Sequence, residues 1–326
     1  MAFASLRSLY ESGELPTVVS DSPYLLDGFS SIGFRTLSVA EMCLDPSLAP
    51  NEVILVTATP AKHPNTALRN ALRKSAVLFI PLLAFSYDDR SIAYLIKRLT
   101  ALDFLAACER SRRLVEYVQH IKELIQVASK DCRLTIELGN NVDVFAPKLV
   151  PKIAVGESIS VIQFFEVGLV PNQDLTSFHV DGNLSCDGVS IAHHLHSHFE
   201  SGPLADKAWK IFESARTRDG FPLVLEIRNS EVVSIKTKQC DDILDQILPL
   251  TDEILRGRLT EVAFASLAPS IDTDWTINSQ LNEPAGGVHI ALGAGETASH
   301  IDFVSSYAQI SNFTDYYASM AQRNEA

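Results

Sequence analysis

Two short runs near the end of the chain constrain its fold more than any other feature. "GGVHIALG" (286–293) and "SHIDFV" (299–304) are apolar and β-like, yet they carry His289, His300 and Asp302 where a core takes aliphatic side chains. A buried imidazole or carboxylate needs a partner or a metal to offset its lost hydration. Glu261, 28 residues before His289, adds a fourth donor. Two histidines and one carboxylate are the minimum set for a metal centre with open positions, and a second carboxylate admits a zinc, manganese or two-metal site. The alternative is a set of hydrogen-bonded core or rim residues, and spacing alone leaves both open.

At 326 residues the chain can bury a large core, and its length favours two domains. Hydrophobic residues at 46% and charged residues at 21% fit an ordinary globular protein. A formal charge of -13 excludes a general nucleic-acid binder. The densest basic cluster, Arg110, Arg112 and Arg113, falls on a helical pattern and reads as a solvated face. The opening residues are too short and polar for a signal peptide, and no run of 18 apolar residues exists to cross a membrane. A cytoplasmic protein is expected. The five cysteines form no CxxC pair and imply neither a disulfide framework nor a zinc knuckle. Cys186, in "GNLSCDG", is the one cysteine in a turn-rich context and the only candidate thiol nucleophile. Asn312-Phe313-Thr314 matches a glycosylation sequon, which means little without a secretion signal.

"EVILVT" (52–57) reads as a buried strand, "TPAKHPNTALRNALRKSA" as a turn and helix, and "VLFIPLLAF" as a further strand. This β-α-β rhythm predicts an N-terminal α/β domain with a partly parallel sheet. Residues 91–129 carry helical periodicity through "LVEYVQHIKELIQVA", with His120 as a surface or packing residue. No GxGxxG follows the first strand, so a dinucleotide fingerprint is absent. Near residue 130 the pattern changes to short strands between Gly, Asn, Asp and Pro turns. The expected organisation is therefore 1–129 as an α/β domain and 130–326 as a larger β-rich domain carrying the candidate site. "SGPLADKAWKIFESARTRDG" and "DDILDQILPLTDEILRGRL" read as helices within the second. In "HHLHSH", strand alternation would place His194, His196 and His198 on one face, while a helix would pair His194 with His198. Solvent-facing histidines are the first reading of this tract, which begins at His193, and metal binding the second.

The C-terminal half resembles the aminopeptidase T family of metallopeptidases. It also resembles the 2,5-dihydroxypyridine dioxygenases that share their fold. "FFEVGLVP" around Glu166, "FHVDGNL" around Asp181, "LTEVAFASLAPS" around Glu261 and "NEPAGGVHIALG" with "SHIDFV" carry the likeness, over roughly residues 130–310. The resemblance to the aminopeptidases implies that Glu166, Glu261, His289, His300 and Asp302 ligate a pair of divalent ions (Zn, Mn or Co), with one carboxylate bridging. The resemblance to the dioxygenases implies one Fe(II) held by His289, His300 and Asp302. It also implies a homodimer.

The chain departs from the aminopeptidase pattern at several points. Only "IALGAGETAS" separates His289 from His300, without the tyrosine that assists the peptidase reaction. Pro284 follows Glu283 where a basic residue is expected, and Glu166 lacks its preceding glycine. Three functions follow. The first is a divalent-metal hydrolase of a peptide-like or small amide substrate, with Glu283 as general base. The second is a non-catalytic peptide-binding or accessory protein of a peptide-modification or natural-product pathway. The third is a non-haem iron ring-cleaving dioxygenase. Each takes a small-molecule or peptide partner, with no nucleic acid and no membrane.

Overall fold

Strand and helix alternate through the first hundred residues because β-branched runs are separated by capped helical segments. The structure is a computed structural model describing residues 3–58, 66–121, 124–139, 142–145, 147–171, 177–193, 202–270, 272–295 and 297–313. After α1 (Ala4–Arg7) come β1 (Thr17–Ser20), α2 (Pro23–Ser31), β2 (Thr36–Ser38), α3 (Val39–Leu44), β3 (Glu52–Val56), α4 (Thr66–Leu72) and β4 (Ala76–Ile80). Helix α2 starts on Ser22 with Pro23 in its first turn, and α3 on a Ser38/Glu41 capping box. The run "VLFIPLLAF" ends as a strand at Ile80, because Pro81 has no N–H for the ladder. The two long helices α5 (Asp89–Ala101) and α6 (Phe104–His120) are capped by Asp88 and Asp103.

The helical expectation fails beyond His120. Residues Ile125–Ser129 form strand β5, which pairs with β6 (Cys132–Leu138) across a tight turn in which Lys130 has a positive φ of 50°. "IQVAS" fits the alternation of a half-buried strand as well as it fits a helix, and pairing with β6 decides the matter. His120 is exposed, its ring hydrogen-bonded to the Glu116 carbonyl.

The chain continues through β7 (Asp143–Phe145), β8 (Ser158–Ser160), β9 (Glu166–Val170), β10 (Phe178–Cys186), β11 (Gly188–His193), α7 (Gly202–Thr217), β12 (Leu223–Arg228), β13 (Glu231–Lys236), α8 (Leu244–Ile247), β14 (Leu259–Ala265), β15 (Val288–Leu292), β16 (Ser299–Ser305) and β17 (Gln309–Ile310). The protein is α/β, and its described residues form three sheets. The first is parallel throughout, in the order β2-β1-β3-β4-β8. The other two are antiparallel, in the orders β13-β12-β10-β6-β5-β17 and β11-β16-β15-β14-β9-β7. The helix expected over "DDILDQILPLTDEILRGRL" shrinks to α8 and a single 3₁₀ turn, since Pro249 removes an N–H donor. His194, His196 and His198 lie outside the described residues. No helix among the described residues is long and apolar enough to cross a membrane.

The two antiparallel sheets share one core, built from Val180, Leu184, Leu225 and Ile235 on one side and Val262, Phe264, Ile290 and Phe303 on the other. Helix α7 closes it, with Phe212 against Phe303 edge to face at 5.7 Å. A second core joins the parallel sheet to α5, α6 and the segment 161–165, and it reaches Leu281. The third sheet thus has one face on the shared core, and the segment carrying Leu281 ties it to the N-terminal helices.

Candidate metal centre

Alternation in the third sheet separates core from chemistry. In β15, Val288, Ile290 and Leu292 turn to the shared core, so His289 and Ala291 face the other way. In β16, Ile301 and Phe303 turn to the core, leaving His300 and Asp302 opposite. Registers carry the pattern across the sheet: Asp302 lies beside Ala291 and Ser190, His289 beside Ala263, and Ala265 beside Glu166. Glu166, Glu261, His289, His300 and Asp302 therefore share one face of four adjacent strands. Between them stand the small residues Gly168, Ala263, Ala291, Ala192 and Ser190.

Glu261 reaches that face through an irregularity. The β14–β15 register shifts between Leu259 and Glu261, which makes Thr260 an extra residue. Leu259 belongs to the core, and simple alternation would send Glu261 there as well. The bulge turns it to the site side, a common use of bulges beside functional groups.

The nitrogen and oxygen atoms converge. His289 Nε2 lies 3.8 Å from Glu166 Oε2, 3.9 Å from Glu261 Oε1 and 3.9 Å from Asp302 Oδ1. His300 Nε2 lies 3.7 Å from Glu261 Oε2 and 3.1 Å from Asp302 Oδ1. Most of these gaps are too long for hydrogen bonds. Two ligands each about 2.1 Å from one ion stand roughly 3–4 Å apart, so the spacing fits donors around a cation. Two groups form, Glu166–Glu261–His289 and Glu261–His300–Asp302, with Glu261 common to both. Among the described residues, three buried atoms of the cluster have no hydrogen-bond partner: Glu166 Oε2, His289 Nδ1 and Asp302 Oδ2. Orphaned polar atoms in a buried cluster of hard oxygen and imidazole donors fit a divalent ion.

Glu283 joins this group from a short loop. Ser190 Oγ donates to its Oε1 at 3.1 Å. Asn278 pairs with both backbone groups of Ile191, and Tyr94 and Arg98 of α5 hold Asn282 and the Leu281 carbonyl. The loop is thereby fixed at both sides.

Burial pushes the Glu166 carboxyl well above its ordinary range, reinforced by Glu261 and Asp302. Glu283 moves the same way, through burial first and then Asp302 and Glu166. Burial also raises Glu261, against the pull of both histidines. Burial alone would lower His300, but Asp302 and Glu261 hold it up to about 10. Burial opposes ionisation of Asp302 too, yet the charge of His300 outweighs it and leaves the carboxyl below its usual value. Four carboxyls facing two imidazoles must retain protons or meet a cation.

The structure brings together Glu166, Glu261, His289, His300 and Asp302, with Glu283 beside them. It does not activate Cys186, which is buried and whose thiol is raised by burial and by Asp187. Asn312 is engaged with Tyr117 and the Leu124 carbonyl. Ser190 went unread, although a serine inside the apolar run "GVSIA" is the same signal that marked His289.

A family model described as crocagin biosynthetic protein CgnE/B matches residues 13–313. The chain belongs to this family. Its place is in natural-product biosynthesis, and the family is CgnE/B rather than that of the aminopeptidases. No curated protein matches the sequence. Among solved structures it is similar to 2,5-dihydroxypyridine dioxygenase from Pseudomonas putida KT2440, at 12% identity and a TM-score of 0.48, over 92% of this chain and 88% of that one. It is also similar to wild-type AmpT from Thermus thermophilus, at 12% identity and a TM-score of 0.45, over 89% and 87%.

Proposed function

We propose that this CgnE/B-family protein is a divalent-metal-dependent hydrolase acting on a peptide-like or small amide substrate of its biosynthetic route. One observation carries the reading: two three-residue donor groups share Glu261 on one face of the third sheet. Glu166, Glu261 and His289 would hold one ion, and Glu261, His300 and Asp302 the other. Zinc, manganese or cobalt would supply Lewis acidity toward an amide carbonyl and lower the pKa of water. Glu283 would accept and return the proton at Oε1 or Oε2, with Ser190 holding the carboxyl in place. Glu261 and His300 form the partly exposed side from which substrate would enter.

The test is amide hydrolysis by metal-loaded protein, with His289→Ala and Glu283→Gln as variants. Loss of both metal and turnover in a folded His289→Ala protein supports the site. Unchanged turnover in Glu283→Gln removes only the assigned base.

A second reading is favoured by the family description and by the missing tyrosine and basic residue: a non-catalytic peptide-binding protein of the same route. Peptide binding that persists in His289→Ala, without turnover in the wild type, would support it. A single Fe(II) on His289, His300 and Asp302 leaves Glu166 and Glu261 unused, and oxygen uptake with a hydroxylated aromatic would be its mark.

A further inference from the structure

The two histidines differ in how the ring nitrogen turned away from the carboxylates is held. His300 Nδ1 lies 2.6 Å from the Gly293 carbonyl. A carbonyl can only accept, so Nδ1 carries the hydrogen, and in the neutral ring Nε2 keeps its lone pair facing Glu261 and Asp302. That is the tautomer a metal ligand needs, and ligating histidines are usually fixed in this manner. His289 Nδ1 is buried and has no such partner among the described residues.

The carbonyl that orients His300 is itself secured from two directions. Thr260, the bulge residue beside Glu261, shares its single Oγ1 hydrogen between Gly293 O at 3.0 Å and Ala291 O at 3.3 Å. The link from β15 to β16 is gathered around one buried carboxylate, Asp252. Asp252 Oδ2 accepts from Gly295 N at 2.9 Å. Its Oδ1 accepts from Thr297 N at 2.7 Å, from Ala298 N at 3.1 Å and from Thr297 Oγ1. Gly293 has φ +80°, and a Cβ there would stand 2.2 Å from the Ser299 carbonyl, so the link follows a path only glycine permits. Asp252 sits just before β14 in the chain. It therefore ties the connection between the two histidine strands to the strand that carries Glu261. Its bonds from Gly295, Thr297 and Ala298 all come from that connection, one step removed from the metal-type cluster.

The geometry points to Asp252 as a positioning residue: by clamping the β15–β16 link it holds Gly293 O against His300 Nδ1 and makes the Glu261–His300–Asp302 position the tighter of the two. This rests on the metal-binding reading above, but its reach is narrower. It concerns which position fills first and what preorganises it.

The experiment titrates Zn²⁺ into metal-free protein against a competing chelator, for the wild type, Asp252→Asn, Asp252→Glu, Thr260→Val and His300→Ala. In parallel, exchange of the His300 Nδ1–H is followed by ¹⁵N-resolved spectra of the metal-free chains. Two binding steps are expected in the wild type, the tighter one absent from His300→Ala. Asp252→Asn should weaken that step by about 10–100-fold, as losses around metal ligands typically do, and leave the weaker step in place. Its Nδ1–H should exchange faster than in the wild type. Asp252→Glu should restore part of the affinity, and Thr260→Val should weaken the same step through the other anchor.

A folded Asp252→Asn protein with an unchanged tight step and an unchanged Nδ1–H would overturn the proposal. So would an equal loss at both steps with no recovery in Asp252→Glu, the pattern of a general structural defect. If the wild type takes up no Zn²⁺, the metal-binding reading falls, and Nδ1–H exchange in Asp252→Asn and Thr260→Val still decides the positioning claim.

Discussion

Glu283, Glu166 and His300 each bind a proton more tightly in the folded protein than in the unfolded chain. Such groups stabilise the fold at low pH, and their contribution is lost as pH rises through the folded values. The window opens near the ordinary glutamate value of about 4.3 and, for His300, extends from about 6.5 to about 10. Asp302 and Asp252 are held below their ordinary range and are ionised in both states above pH 5, so they add no slope there. The metal-free protein should therefore lose stability from pH 5 to pH 8, by up to about 1.4 kcal/mol per pH unit for each retained proton. Chemical denaturation across that range measures it. Glu283→Gln should flatten the dependence, and saturating Zn²⁺ should reverse the loss. A stability that rises over this range would contradict the charge balance assigned to the cluster. Asp252 gives the opposite test. Burial would raise its carboxyl, but the bonds from Thr297, Gly295 and Ala298 outweigh burial. Its contribution is present above about pH 3.9 and fades as pH falls through the lower folded value. Asp252→Asn should cost about 1–3 kcal/mol at pH 7, and the difference from the wild type should narrow below pH 4.

The third sheet divides its labour by the pleat, and the division is testable on neighbouring residues. Ile290 faces the shared core and Ala291 the cluster, and both are fully buried. Ile290→Ala should lose about 2–5 kcal/mol of stability and keep its metal. Ala291→Leu, set between Glu261 and Asp302, should cost about 1–3 kcal/mol and exclude metal. Metal titration beside thermal melts separates the two, and identical behaviour would refute the division of faces. Much of this was legible in the sequence, because a histidine or aspartate inside "VHIAL" or "HIDFV" betrays a strand with one polar side. The means of bringing Glu261 to that side was not. "LTEVAFA" read by alternation puts Leu259 and Glu261 together, and only pairing with β15 reveals Thr260 as the extra residue. The helix read through 129 failed for a related reason. A five-residue apolar run fits either period, and the hairpin partner that settles it lies outside the run. Asp252 was silent too, since nothing local to "LTDEI" announces donors more than forty residues away.

The proposed division at 129/130 is crossed by packing in both directions. Leu114, Tyr117 and Val118 of α6 enter the core of the antiparallel sheets, while Ile153, Val161 and Phe164 enter the N-terminal core. The Glu283 loop depends on that crossing, because Tyr94 and Arg98 of α5 hold it against β11. Tyr94→Phe should leave the metal-type cluster intact and lower turnover by roughly tenfold, about 1.4 kcal/mol of barrier, by loosening Glu283. A Tyr94→Phe protein with unaltered turnover would place Glu283 outside the reaction or show the loop to be held without the N-terminal helix. The homodimer implied by the sequence resemblance is a separate proposal. Light scattering should give twice the 35.8 kDa chain mass, and a monomer at micromolar concentration rejects it.

If four strands converge donors on divalent ions, bound metal is the deciding measurement. Protein purified without chelators or an affinity tag should be analysed for bound metal, then soaked with Zn²⁺ or Mn²⁺ and located by anomalous diffraction. Two ions are expected, one among Glu166, Glu261 and His289 and one among Glu261, His300 and Asp302. A soaked crystal with no ion there, in which the carboxyls and imidazoles satisfy one another by hydrogen bonds, would contradict it.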